Sequence, residues 1–221
     1  MQSDLESEIQ FARQHNIGDI LRRSAMRFPD KTAIICGPTE WTYKTFDNAC
    51  NQLARHLLAN GISAGDKIAV IARNSHGFAT IRFALARIGA VLVPINFMLN
   101  ANEVRYILNS SRSKMLALGP EFIDVGLEAI SRDTTIETTL GLPSEHQSSS
   151  IKTDLCFEGL LTGDSTALEI HLNDRSLAQI VYTSGTEAMP KGAMLTHSAV
   201  LWQYTSCIIA VSYTHLTLPT R

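Results

Sequence analysis

Between Ile180 and Gly192 the chain reads Ile-Val-Tyr-Thr-Ser-Gly-Thr-Glu-Ala-Met-Pro-Lys-Gly. The hydroxyls of Thr183, Ser184 and Thr186 flank Gly185, and Lys191 stands six positions after that glycine. Glycine lets backbone N–H groups come close to a polyanion, hydroxyls donate to its oxygens, and lysine brings a mobile positive charge. The chemistry these residues suit is the cradling of phosphates. A Walker loop also sets a glycine six residues before its lysine, but it needs glycine just before that lysine and Ser or Thr just after it. Here Pro190 precedes Lys191 and Gly192 follows it. Proline gives no N–H to an anion nest and glycine gives no hydroxyl to magnesium, so a Walker-type nucleoside triphosphatase is disfavoured.

Other chemically capable side chains form no second constellation. His15, His56, His76, His146, His171, His197 and His215 show no metal-ligand spacing such as HxxxH, and packing or surface roles are expected for them. His197 follows Thr196, which is the natural cap of a helix starting there. Thr162-Gly163-Asp164 reads as a turn. Arg82 and Arg87 interrupt an apolar helix and are expected to snorkel on its solvated face. Cys36, Cys50, Cys156 and Cys207 are scattered without a CxxC pair, which predicts buried reduced thiols rather than zinc or a disulfide framework.

The loop must be held by its neighbours, and their patterning is legible. Leu177 to Thr183 is a compact apolar run suited to a strand; a loop from Ser184 to Gly192 follows, then a helix from about His197 to Ala210. Upstream, apolar residues recur at helical spacing from Ile17 to Phe28 and stop at Pro29. Short strands are expected at Thr32 to Cys36 and Glu40 to Tyr43, turning at Gly37-Pro38. Phe46, Ala49, Cys50, Leu53, Ala54, Leu57 and Leu58 make one helical stripe, with Thr42 as cap and Gly61 as left-handed terminator. Strands at Lys67 to Ala72, Val91 to Pro94 and Lys114 to Leu118 alternate with helices at Ser75 to Ile88, closed by Gly89, and Asn100 to Leu108. This alternation predicts an α/β fold with mostly parallel sheets covered by helices. Residues of about 131–153 are rich in Ser and Thr and read as a surface loop holding at most one short strand.

Composition sets the outer limits. The 221 residues are 45% hydrophobic and 18% charged, enough to build a core. Nineteen Lys and Arg against 21 Asp and Glu give a net charge of −2, which offers no field for nucleic acid. The apolar window at 81–99 is broken by Arg82, Arg87, Pro94 and Asn96, so no transmembrane segment is expected. The first residues, MQSDLESEIQFARQHN, carry acids early and lack the basic and apolar regions of a signal peptide, so the expected location is cytoplasmic.

The stretch Tyr182 to Gly192 resembles the signature loop of the AMP-forming adenylate-forming superfamily, which includes acyl-CoA synthetases. Thr-Glu-Ala stands where Thr-Thr-Gly is commonest. Phe28-Pro-Asp-Lys-Thr-Ala33, Trp41-Thr-Tyr43, Gly65-Asp-Lys-Ile-Ala-Val70 and Ala86-Arg-Ile-Gly-Ala-Val-Leu-Val-Pro-Ile-Asn96 are similar to further landmarks of that family, as are Glu103, Tyr106-Ile-Leu108 and Thr196-His197.

The resemblance implies that a carboxylate attacks the α-phosphate of Mg-ATP to give an acyl-adenylate, from which coenzyme A then displaces AMP. It assigns the β- and γ-phosphates to Thr183, Ser184, Gly185, Thr186 and Lys191, with Glu187, Ala188, Met189, Pro190 and Gly192 completing the loop. ATP, Mg2+ and coenzyme A are the implied cofactors, and a fatty or related carboxylic acid is the implied substrate. Two alternatives are an adenylating ligase for another acid and a non-catalytic polyphosphate-binding module. Family members are longer and place most of their chemistry after this loop. Residues 1–210 therefore read as an incomplete N-terminal AMP-binding domain, inactive alone, and 211–221 as an atypical tail.

Overall fold

The structure is a computed structural model that describes residues 15–149, 152–183 and 189–211. It opens with helix α1 (Ile17–Arg27), whose cap Asn16 accepts from the Asp19 N–H while the Asp19 carboxylate accepts from the Asn16 N–H. This reciprocal box fixes the start. Strands β1 (Thr32–Cys36) and β2 (Thr39–Thr42) form a separate antiparallel pair. Thr42 then caps α2 (Tyr43–Ala59) by accepting from the Thr45 N–H, as its position predicts.

The main sheet holds seven strands among the described residues: β3 (Lys67–Ile71), β4 (Val91–Pro94), β5 (Ser113–Leu118), β6 (Thr138–Gly141), β7 (Leu155–Cys156), β8 (Leu177–Thr183) and β9 (Lys191–Thr196). Their order is β7-β6-β5-β3-β4-β8-β9, and every neighbouring pair is parallel except β8 with β9. The crossovers are α3 (His76–Ile88), α4 (Ala101–Ser111), α5 (Ile123–Ile130) and the short α6 (Phe157–Leu160); α7 (His197–Val211) follows β9. The expected α/β architecture with a mostly parallel sheet is present.

Strand alternation sorts the core into two faces. Ile68 and Val70 of β3 point to Leu53, Leu57, Ile81, Leu85 and Phe157 of α2, α3 and α6. Ala69 and Ile71 point the other way, to Val104, Ile107, Leu108 and Ile123 of α4 and α5. β3 is buried on both sides, which is why it reads as an unbroken apolar run.

Several expectations change. Lys191 and Gly192, expected at the end of a loop, belong to β9, a strand that the sequence does not predict; its residues are mostly exposed, so no apolar pattern announces it. α5 and α6 are further additions. The Ser/Thr-rich segment holds β6, whose Thr139 N–H and hydroxyl both donate to the Asp154 carboxylate. Arg87 does not snorkel. Its guanidinium is buried in an ion pair with Asp47 and also donates to the Asp47 carbonyl and to Asn51 Oδ1. The cover comes from α1, whose Gly18 lies so close that an added Cβ would stand 2.8 Å from Arg87 Cγ. Arg82 bridges elements, donating to Gln179 Oε1 of β8 and to the Tyr204 hydroxyl of α7. All four cysteines are free, but only Cys36 and Cys50 are buried; Cys156 is half-buried and Cys207 exposed. Among the described residues no helix is long and apolar enough to cross a membrane. The tail beyond 211 lies outside them.

Candidate functional site

β8 runs parallel to β4, so its end at Thr183 lies at the carboxyl edge of the sheet. Open α/β sheets bind ligands at that edge. The chain returns antiparallel as β9, with Thr183 opposite Lys191 and Tyr182 opposite Gly192. The two strands thus bring a hydroxyl and an ammonium group from the ends of the motif onto adjacent positions, both exposed. Met189 is exposed and Pro190 half-buried. Ser184, Gly185, Thr186, Glu187 and Ala188 lie outside the described residues.

Two hydrogen bonds tie these stems to α4. The Tyr106 hydroxyl donates to the Pro190 carbonyl at 3.3 Å, and the Tyr182 hydroxyl donates to Ser110 Oγ at 2.9 Å. In sequence Tyr106 stands out only within the stretch Tyr106-Ile-Leu108, and nothing singles out Ser110. Their four-residue spacing on one helix, which puts them on one face, is the available signal.

Gly192 also has a local reason. A Cβ there would stand 2.8 Å from Ile180 Cγ2 and 3.1 Å from Tyr182 Cζ. The Tyr182 ring lies over the bare glycine of the opposite strand.

Two of the histidines, His76 and His197, are buried and serve packing. His197 is fully buried at the start of α7, accepting the Ile17 N–H at Nδ1. Burial holds its pKa below the ordinary value, against the opposing pull of Asp19 and Asp174. Thr196 caps α7 by accepting from the Ala199 N–H, as expected. His76 is set edge-on to Trp41 and Phe157, and its pKa too is lowered by burial. Asp164 accepts from the Thr166 N–H and hydroxyl in a turn and pairs with Arg55. No group of three or more His, Cys, Asp or Glu among the described residues could hold a metal ion. A cleft of about 460 Å³ between α1 and residues 167–172 is lined by Arg22, Arg87 and Glu169, and by no residue of the loop's stems.

A model of the family described as AMP-binding enzyme matches residues 21–219, nearly the whole chain. The chain belongs to that family. It is 34% identical over 183 residues to 4-hydroxybutyrate–CoA ligase 2 of Metallosphaera sedula, covering 80% of itself and 33% of that protein. It is 30% identical over 195 residues to the medium-chain fatty-acid–CoA ligase of Escherichia coli, covering 84% of itself and 34% of the relative. Among solved structures it resembles the anthranilate CoA ligase AuaEII in complex with anthranoyl-AMP. The TM-score is 0.75 at 25% identity, over 83% of this chain and 35% of that one. The chain spans about a third of the length of the relatives it matches.

Proposed function

We propose that this chain is the N-terminal portion of an AMP-forming acyl-CoA ligase and that the loop between β8 and β9 holds the β- and γ-phosphates of ATP. The observation that carries the reading is the placement of Thr183 and Lys191 side by side at the carboxyl edge of the sheet, closing a hydroxyl- and glycine-rich loop. In the full reaction a carboxylate oxygen attacks the α-phosphorus, the bond to pyrophosphate breaks, and the acyl-adenylate forms. The thiol of coenzyme A then attacks the acyl carbon and AMP leaves. The first step needs negative charge neutralised on the departing pyrophosphate, which Lys191, the loop hydroxyls and loop amides are suited to supply. The described residues offer no cluster of metal ligands, so Mg2+ enters this reading as part of the Mg-ATP substrate.

The acid is a fatty or related carboxylic acid, by likeness to the relatives that act on 4-hydroxybutyrate and medium-chain fatty acids. The setting is the cytoplasm. Residues 1–210 form part of an AMP-binding domain that binds polyphosphate but does not complete adenylation alone, because one loop cannot also position the acid against the α-phosphate. The exposed Met194, Trp202, Ile208 and Ile209 on β9 and α7 support this, since such apolar surface is normally covered.

Titration of the folded chain with Mg-ATP and with pyrophosphate tests the reading. Lys191→Ala removes a charge-assisted contact, so binding weakens about 10- to 150-fold. Equal affinity in wild type and variant sinks the loop assignment. Robust acid-dependent ATP–pyrophosphate exchange by the chain sinks the claim of incompleteness.

A further inference from the structure

We propose that α4 is a buttress for the phosphate loop, with Tyr106, Ser110 and Tyr182 as positioning residues that fix its two stems. This rests on the loop reading above. The helix grips both ends of the hairpin: Tyr106 reaches the Pro190 carbonyl on the returning stem, and Ser110, one turn further along the same face, receives the Tyr182 hydroxyl from the outgoing stem. Pro190 has no N–H, so its carbonyl is its only backbone polar group and Tyr106 occupies it. Gly192 completes the arrangement. Any side chain there would meet the Tyr182 ring, and the bare glycine lets that ring lie across β9 toward Ser110.

A buttress must itself be fixed, and α4 is fixed on three sides. The Asn100 side chain accepts from the Asn102 and Glu103 N–H groups while the Glu103 carboxylate accepts from the Asn100 N–H. Val104, Ile107 and Leu108 are buried in the core. Arg105 donates from Nε to the Ala129 carbonyl and from Nη2 to the Glu128 carbonyl, locking α4 to α5. The tyrosines therefore link the loop's stems to a rigid part of the fold. Binding phosphates on a loop whose ends are already fixed costs less ordering entropy, so α4 contributes to affinity without touching the ligand.

The test compares wild type, Tyr106→Phe, Ser110→Ala and Lys191→Ala, each as the whole chain. Amide hydrogen exchange is followed across residues 182–192, and inorganic pyrophosphate binding and thermal midpoint are measured alongside. Tyr106→Phe and Ser110→Ala keep the midpoint near wild type. Each speeds exchange in the stems and weakens pyrophosphate binding about 2- to 12-fold, the range expected for one hydrogen bond. Lys191→Ala weakens binding with stem exchange unchanged. The proposal is overturned when Tyr106→Phe and Ser110→Ala both leave stem exchange at the wild-type rate, or speed it without weakening pyrophosphate binding. A wild-type chain that binds no pyrophosphate refutes the loop's function instead, and the exchange rates then decide the buttress alone.

Discussion

Replacing Arg87 by alanine tests whether the interior of this fold depends on a buried charge. The Arg87 and Asp47 side chains are 8% and 15% exposed, and the guanidinium also serves Asn51 Oδ1, on a residue itself buried. Truncation leaves the Asp47 carboxylate unpaired between α1, α2 and α3 and strips Asn51 of a donor. Breaking a buried pair by removing one partner costs about 3–5 kcal/mol, whereas a solvated arginine contributes within about 0.5 kcal/mol. At 2–4 °C per kcal/mol for a chain of this size, the thermal midpoint falls by roughly 6–20 °C. Urea and thermal unfolding at neutral pH measure it. Arg87→Ala combined with Asp47→Ala recovers part of the loss, because no charge is then stranded. A single variant within about 1 kcal/mol of wild type, or a double variant whose losses simply add, refutes the reasoning.

Two further outcomes concern stability. His76 and His197 are held below their ordinary pKa by burial. The unfolded chain therefore takes up protons first as pH falls through about 6.5, and stability drops between about pH 7 and 5. The urea midpoint is thus lower at pH 5.5 than at 7.5, and an equal or higher midpoint contradicts the burial argument. Asn100→Ala removes the α4 cap and costs about 1 kcal/mol by the same unfolding measurement; a loss below about 0.3 kcal/mol shows that tertiary contacts, not the cap, hold the start of the buttress.

Local chemistry is what the amino-acid order specified on its own. The two-sided apolar run of β3, the helical stripe of α2, the caps at Thr42, Asn100 and Thr196, and the left-handed Gly61 and Gly89 all act within a few residues of themselves. Each is therefore visible in sequence. The motif from Tyr182 to Gly192 is visible for the same reason, since its hydroxyls, glycine and lysine lie in one short stretch.

Three features needed the folded chain. β9 exists because it pairs with β8; its order Lys-Gly-Ala-Met-Leu-Thr carries no apolar alternation and its residues are mostly exposed, so nothing in their pattern marks a strand. Arg87 is buried because α1, about 70 residues away, folds over it through Gly18. Gly192 reads in sequence as part of an anion cradle; the structure shows it making room for a tyrosine that ties the loop's stem to α4. Burial and pairing depend on partners distant in sequence, and the local pattern around each of these residues cannot name those partners.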